Sequence, residues 1–226
     1  MTNMGRHKLQ QMKEIQKFQN VFSAWGEKEK PDWKKYFGRE GKLVLEMGCG
    51  WGQYTLALAE KYPEDNFIGI DKKGDRLWMA AKKALGEEEK LGLPGEFCEG
   101  ARRNVAFLQI EAEELADWFE AGEVDEIWVT FPDPQPKPCK ANQRLISPRF
   151  LEIYKQVMKA DATLHLKTDN QAFFEYALEL VTPEEVIWDV HGEGETSEML
   201  KILTFYEQKF MAKGVPIKYL RAVFAR

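Results

Sequence analysis

Two kinds of pattern alternate along this chain. Short, nearly continuous apolar runs recur at 42–46, 66–70, 105–110, 125–131, 162–168, 185–190 and 217–224, and each reads as a strand. Between the earlier ones, apolar residues return at helical spacing near 53–61, 74–85, 112–121, 148–158 and 171–181. Such alternation predicts βαβ units, a mostly parallel sheet and right-handed crossovers. Ahead of the first run, Leu9, Met12, Ile15, Phe18 and Phe22 fall three or four apart. Residues 8–25 therefore read as an amphipathic helix with Lys8, Lys13 and Lys17 on its other face. A Gly/Pro/Lys linker follows, so the chain divides into an N-terminal basic helix and linker (1–38) and an α/β domain (39–226). The charged, glycine-bearing stretch 86–104 reads as a surface loop.

The first strand of that domain carries the strongest chemical signal. Leu43-Val44-Leu45-Glu46-Met47 runs into Gly48-Cys49-Gly50-Trp51-Gly52, an apolar strand ending on a carboxylate and then three glycines at alternate positions. Glycine-rich strand-to-helix turns mark the nucleotide crevice of an open α/β sheet, where backbone must approach a ligand closely. The next strand ends in Asp71, nineteen residues past Gly52, near the ~20-residue distance at which an acid takes ribose hydroxyls.

The spacing bears on which nucleotide. Dinucleotide sites use G-x-G-x-x-G with a pyrophosphate on the helix N-terminus. Here the spacing is G-x-G-x-G, and Glu46 precedes it by two positions. A carboxylate there repels a pyrophosphate but suits an ammonium and a sulfonium, as in S-adenosylmethionine. A nicotinamide cofactor, or a turn that binds nothing, remain the competing readings of the turn alone.

In such sheets the ligand lies beyond the carboxyl ends of the strands. Glu46, Asp71, Glu111, Asp133 and Asp169 follow or close five successive predicted strands, giving a negative cleft suited to a cationic cofactor. Glu111 and Asp169 also precede helices, where an acid is an ordinary capping residue. Around Asp133, Phe131-Pro132-Asp133-Pro134-Gln135-Pro136-Lys137-Pro138 places a proline at every second position. Each proline fixes its own φ and biases the residue before it toward extended backbone, which predicts a stiff lip at the mouth of the fourth strand. Lys137, Lys140, Arg144 and Arg149 follow, either a solvated charge run or a rim that meets phosphates. Near the C-terminus, Thr204 and Glu207 form a Thr-x-x-Glu capping box for a helix ending at Gly214.

Composition narrows the class. The 226 residues suffice for one α/β domain, and 44% hydrophobic with 31% charged residues is globular composition. No apolar run approaches the ~20 residues of a membrane span, and no signal-peptide apolar stretch follows the charged N-terminus, so a cytoplasmic protein is expected. Cys49, Cys98 and Cys139 share no metal-type spacing, and His7, His165 and His191 are scattered, so no metal is expected. The net charge of −5 confines any nucleic-acid contact to a local basic face.

With these pieces together, the chain resembles the bacterial tRNA (guanine-N7)-methyltransferases from about Leu43 to Phe224. The resemblance is carried by the E-x-G-x-G-x-G turn, Phe67-Ile68-Gly69-Ile70-Asp71 and Phe131-Pro132-Asp133-Pro134. It continues through Leu166-Lys167-Thr168-Asp169-Asn170 and the segment Thr204 to Phe210. It implies a Rossmann-like, seven-stranded, mostly parallel sheet of the S-adenosylmethionine-dependent methyltransferase type, acting on a guanine of the tRNA variable loop. Glu46, Gly48, Gly50, Asp71, Glu111 and Asp133 then match cofactor contacts, Asp133 also the catalytic aspartate. Lys137, Asp169, Thr204, Phe205, Tyr206 and Glu207 match substrate contacts. The implied partner is tRNA, with no DNA and no membrane. The chain departs from the family in carrying Gln135 where a tryptophan is usual, and fewer positive charges between Lys137 and Arg144; Arg6, His7, Lys8, Lys13 and Lys17 are candidates to compensate. That thinner rim keeps two alternatives open: methyl transfer to a small metabolite, and a non-catalytic RNA-binding module with a vestigial cofactor pocket.

The implied chemistry suits these residues. Guanine N7 is an acceptor with a free lone pair, so no proton need be removed before it attacks a sulfonium methyl. Alignment matters instead, with a carboxylate where positive charge moves onto the purine. Asp133 is the candidate for that charge, Asp169 or Glu207 for the guanine N1–H and amino group, and Phe205 and Tyr206 for stacking on the base.

Overall fold

The computed structural model describes residues 10–26, 29–86, 103–192 and 197–223. Residues 10–15 form helix α1, after which strand β1 (Val21–Ser23) and helix α2 (Trp33–Phe37) lead into the main alternation. That alternation runs β2 (Leu43–Met47), α3 (Gln53–Lys61), β3 (Asn66–Ile70), α4 (Gly74–Ala84) and β4 (Val105–Gln109). A 3₁₀ turn (Ala112–Glu114) then opens α5 (Leu115–Trp118), followed by β5 (Val124–Thr130), a 3₁₀ turn (Pro138–Gln143) and α6 (Pro148–Val157). The chain finishes with β6 (Met158–Thr168), α7 (Gln171–Leu180), β7 (Pro183–Ile187), α8 (Phe205–Met211) and β8 (Lys218–Val223).

The strands form one sheet in the order β1-β4-β3-β2-β5-β6-β8-β7. The six strands from β1 to β6 run parallel, while β8 is antiparallel to both β6 and β7. From β2 the chain builds outward through β3 and β4, then returns to β5 on the other side. That reversal opens a crevice at the carboxyl ends of β2 and β5. Every residue of β2, β3 and β4 is buried, as a parallel sheet covered on both faces requires. One face packs Leu45, Ile68, Ile127 and Leu164 against Trp118, Phe150 and Phe174. The other packs Val44, Phe67 and Trp128 against Tyr54, Leu58 and Leu77.

Three expectations are corrected. The sheet has eight strands rather than seven, because Val21–Ser23 pairs with Phe107–Gln109 along the edge of β4. The helix expected over 8–25 accordingly ends at residue 15 among the described residues, and part of the segment assigned to the N-terminal helix and linker joins the sheet. Of the expected apolar stripe Ile15, Phe18 and Phe22 are buried, whereas Met12 is exposed and Leu9 lies outside the described residues, so the spacing reports burial only over its second half. The unpaired edge of β4, which no local pattern reveals, draws the end of that segment into a ladder. The helix expected at 112–121 is also shorter, since Phe119 is already extended. The loop reading at 86–104 falls mostly outside the described residues, as do Arg6, His7, Lys8 and Cys98.

Candidate active site

The glycine turn is shaped by what packs on it. Gly52 sits at φ 64, and a Cβ there would lie 2.6 Å from the Ala80 Cβ and 2.9 Å from Phe107. Only hydrogen fits, so α4 closes tightly against the turn. Beyond it lies an open cleft at the carboxyl ends of β2 and β5, of about 530 Å³ with the solvent at its mouth included. Glu46, Gly48, Gly50, Thr204 and Tyr206 line it, bringing the first strand's turn together with the C-terminal segment. Trp51, Gln53, Tyr54, Arg76 and Thr130 also line it and were not singled out from the sequence.

Glu46 is buried in the cavity floor. Its Oε1 accepts from the Thr130 hydroxyl at 2.5 Å; its Oε2 accepts from the Thr55 amide at 2.9 Å and from the Thr55 hydroxyl. Burial pushes its pKa up to about 7, against the lowering effect of those hydrogen bonds. The result is a carboxyl that ionises less readily than an exposed glutamate and whose charged form a neighbouring cation would favour.

The other predicted acids, Asp71, Glu111, Asp133 and Asp169, are not among the residues that line this cavity. Asp71, also buried, accepts from the Gly50 amide at 3.0 Å and the Lys73 amide at 2.8 Å, tying the glycine turn to the end of β3. Glu111 forms a reciprocal capping box with Glu114 and an ion pair with Lys72 at 3.3 Å, so the capping role raised for it is observed. Asp133 is exposed on the proline loop, where its Oδ1 accepts from the Gln135 amide at 3.0 Å. Phe131 and Gln135, flanking it, have φ of 47° and 43°. Asp169 is half-buried at the end of β6, and burial raises its pKa; the helix cap there belongs to Asn170, which accepts from the Phe173 amide. Lys137 and Lys140 are exposed, and Arg149 pairs with Glu113 at 3.2 Å.

The capping box at α8 is present, with Thr204 accepting from the Glu207 amide at 3.2 Å. Phe205 and Tyr206 are both exposed, their rings 6.2 Å apart and edge-to-face, and Phe205 lies 6.2 Å from Trp51. The Phe205 amide donates to Gln53 Oε1 at 3.0 Å, which fastens α8 to the start of α3. Glu207, expected among the substrate contacts, has no exposure. Its Oε1 lies 2.7 Å from both Lys167 Nζ and His191 Nε2, so its carboxylate faces the interior rather than the cavity.

Comparison with known proteins agrees with this geometry. The family model described as "Putative methyltransferase" matches residues 40–220. The tRNA (guanine-N(7)-)-methyltransferase of Christiangramia forsetii is 40% identical over 96% of this chain and 97% of its own. That of Porphyromonas gingivalis is 41% identical over 82% and 72%. The chain belongs to the tRNA (guanine-N7)-methyltransferase family. Its fold is shared with a solved methyltransferase: the 16S rRNA methyltransferase KamB superposes with a TM-score of 0.65 at 17% identity, over 88% of this chain and 96% of that one. Among the described residues, no helix is long and apolar enough to cross a membrane, and no cluster of His, Cys, Asp or Glu is suited to a metal ion.

Proposed function

We propose that this protein transfers a methyl group from S-adenosylmethionine to N7 of a guanine in the variable loop of tRNA, in the cytoplasm. The observation that carries the reading is the cavity itself. A buried carboxyl, an arginine and an exposed aromatic ring meet at the carboxyl end of a methyltransferase sheet.

The donor set fits S-adenosylmethionine. Glu46 holds the ammonium of its methionyl part, and Arg76, on the same cavity wall, faces the carboxylate. Asp71 takes the ribose hydroxyls through lone pairs that its backbone contacts leave over. Glu111, beside Lys72, borders the purine. When bound, the cofactor supplies an electrophilic methyl on a positively charged sulfur.

The protein's remaining task is alignment. Tyr206 and Phe205 stack on the extruded guanine, as aromatic side chains do in readers of unpaired RNA. Asp169 accepts from its Watson–Crick edge and so separates guanine from adenine. Asp133 stands where positive charge reaches the purine and stabilises it electrostatically. Thr204 completes the wall, and Glu207 serves the site through α8, which it anchors. Lys137 and Lys140 meet backbone phosphates.

The test is to incubate unmodified tRNA with labelled S-adenosylmethionine and map the methylated base. Methyl at guanine N7 is expected, and its loss in Asp133→Asn. Methyl on another atom, or a tRNA that accepts none, overturns the reading.

A further inference from the structure

Arg144 stands among the cations that follow the proline loop, where the sequence offers it as a phosphate contact. The structure turns it inward. Its Nε donates to the Pro134 carbonyl at 3.1 Å and to the Gln135 carbonyl at 3.3 Å, and its Nη2 reaches the Gln135 carbonyl at 3.2 Å. The guanidinium carbon lies 4.3 Å from the ring centroid of Tyr176 on α7, a cation–π stack. The next residue is fixed as well: the Leu145 carbonyl accepts from the Tyr154 hydroxyl at 2.9 Å. Its side chain packs on the glycine turn, where a Cβ on Gly48 would lie 3.3 Å from Leu145 Cδ1.

These contacts join three parts of the site. Arg144 and Leu145 lie between the Asp133 loop and the turn that borders the donor cavity, and the stack on Tyr176 adds the helix that begins just past Asp169. The loop needs such a restraint. Phe131 and Gln135 both sit at positive φ without being glycine, a conformation that persists only when its surroundings over-determine it. A planar fork with several donors suits two adjacent carbonyls; a lysine ammonium on a flexible stem does not.

We propose that Arg144 is a positioning residue that sets the Asp133 loop against the glycine turn, and not a cation of the RNA rim. The inference rests on the reading of Asp133 as the catalytic aspartate. Charge is secondary here and the fork is decisive, so Arg144→Lys lacks the function although it keeps the charge.

The experiment compares Arg144→Lys, Arg144→Ala, Tyr176→Leu and Asp133→Asn with the wild-type chain. It measures kcat and KM for tRNA, tRNA affinity against salt concentration, and S-adenosylmethionine affinity by calorimetry. Arg144→Lys is expected to lower kcat by about 100-fold, the scale on which misplacing a catalytic group by an ångström acts. Donor affinity is expected within twofold of wild type, which also shows that the variant folds, and the slope of log affinity against log salt is expected to stay unchanged. Tyr176→Leu should lower kcat in the same direction by a smaller factor. An Arg144→Lys variant with normal kcat overturns the proposal, and so does Arg144→Ala with a salt slope shallower by about one phosphate contact and kcat intact. Should Asp133→Asn itself retain turnover, the underlying reading of the loop falls; with that variant inactive and Arg144→Lys unaffected, only the strap falls.

Discussion

Lys167 Nζ lies 2.7 Å from Glu207 Oε1, and neither side chain has any exposure. The pair joins the end of β6 to the first turn of α8. Lys167 also donates to the Leu200 carbonyl at 2.8 Å and the Ile202 carbonyl at 3.3 Å, and its ammonium stands 5.5 Å from the ring centroid of Tyr54. Burial pulls the Lys167 pKa down, while the neighbouring Glu207 carboxylate pushes it back up. One ammonium thus fastens the segment that leads to Thr204, Phe205 and Tyr206.

Removing one member of a buried pair leaves the other charge unmatched. Lys167→Met is therefore expected to destabilise the fold by about 3–5 kcal/mol in denaturant unfolding. Lys167→Met combined with Glu207→Leu is expected to recover much of that loss. A single variant within about 1 kcal/mol of wild type, against the cost of an uncompensated buried charge, would show that His191, already 2.7 Å from Glu207 Oε1, holds the carboxylate without Lys167.

Glu46 makes donor binding depend on pH. Its carboxyl titrates near 7 in the free protein because it is buried, well above the 4.5 of an exposed glutamate. The ammonium of the donor binds the ionised form, so below pH 7 binding must first expel a proton. Affinity for S-adenosylmethionine is expected to rise by up to about tenfold per pH unit from pH 5, level near 7, and fall once the donor's own amino group loses its proton near 8. Protonation of Glu46 favours the free fold, so this group's contribution to stability declines as pH rises from about 4.5 to 7 and is constant above. Calorimetric titrations from pH 5 to 7 check the rise, and Glu46→Gln is expected to bind weakly with no dependence on pH in that range. An affinity flat across the range in the wild-type chain would remove Glu46 from the donor site.

The strand ends were legible because buried parallel strands write solid apolar runs, and a turn that must admit backbone writes glycine. Glu46 and Asp71 follow from that pattern alone. Lys167 and Glu207 both lay within recognisable motifs, but their pairing spans forty positions and leaves no local trace. Arg76 carried no signal in the sequence; it lines the cavity from α4, the helix whose Ala80, one turn later, packs on Gly52. The strand at Val21–Ser23 was hidden for the same reason, since its helical spacing describes burial while its partner lies more than eighty residues away.

Arg76 makes the donor's carboxylate a measurable part of recognition. It lines the cavity, and its guanidinium makes no ion pair or hydrogen bond to another described residue. A charge-assisted hydrogen bond to a carboxylate is worth about 1.5–3 kcal/mol. Arg76→Gln is expected to weaken S-adenosylmethionine binding by about tenfold to a hundredfold, in keeping with that energy, and to leave binding of its decarboxylated analogue nearly unchanged. Equal losses for both ligands would assign Arg76 to the shape of the wall instead.

Tyr206 separates recognition of the base from recognition of the donor. Its ring is exposed at the cavity mouth, edge-on to Phe205, with its backbone held by the α8 cap. Stacking of a base on such a ring contributes about 1–3 kcal/mol. Tyr206→Ala is expected to raise KM for tRNA by about tenfold or more on that scale, with donor affinity and the salt slope of tRNA binding unchanged. Tyr206→Phe keeps the π-face and is expected to behave as wild type. If Tyr206→Phe fails as badly as Tyr206→Ala, the hydroxyl and not the ring contacts the substrate, and the base must be held by Phe205 or Trp51.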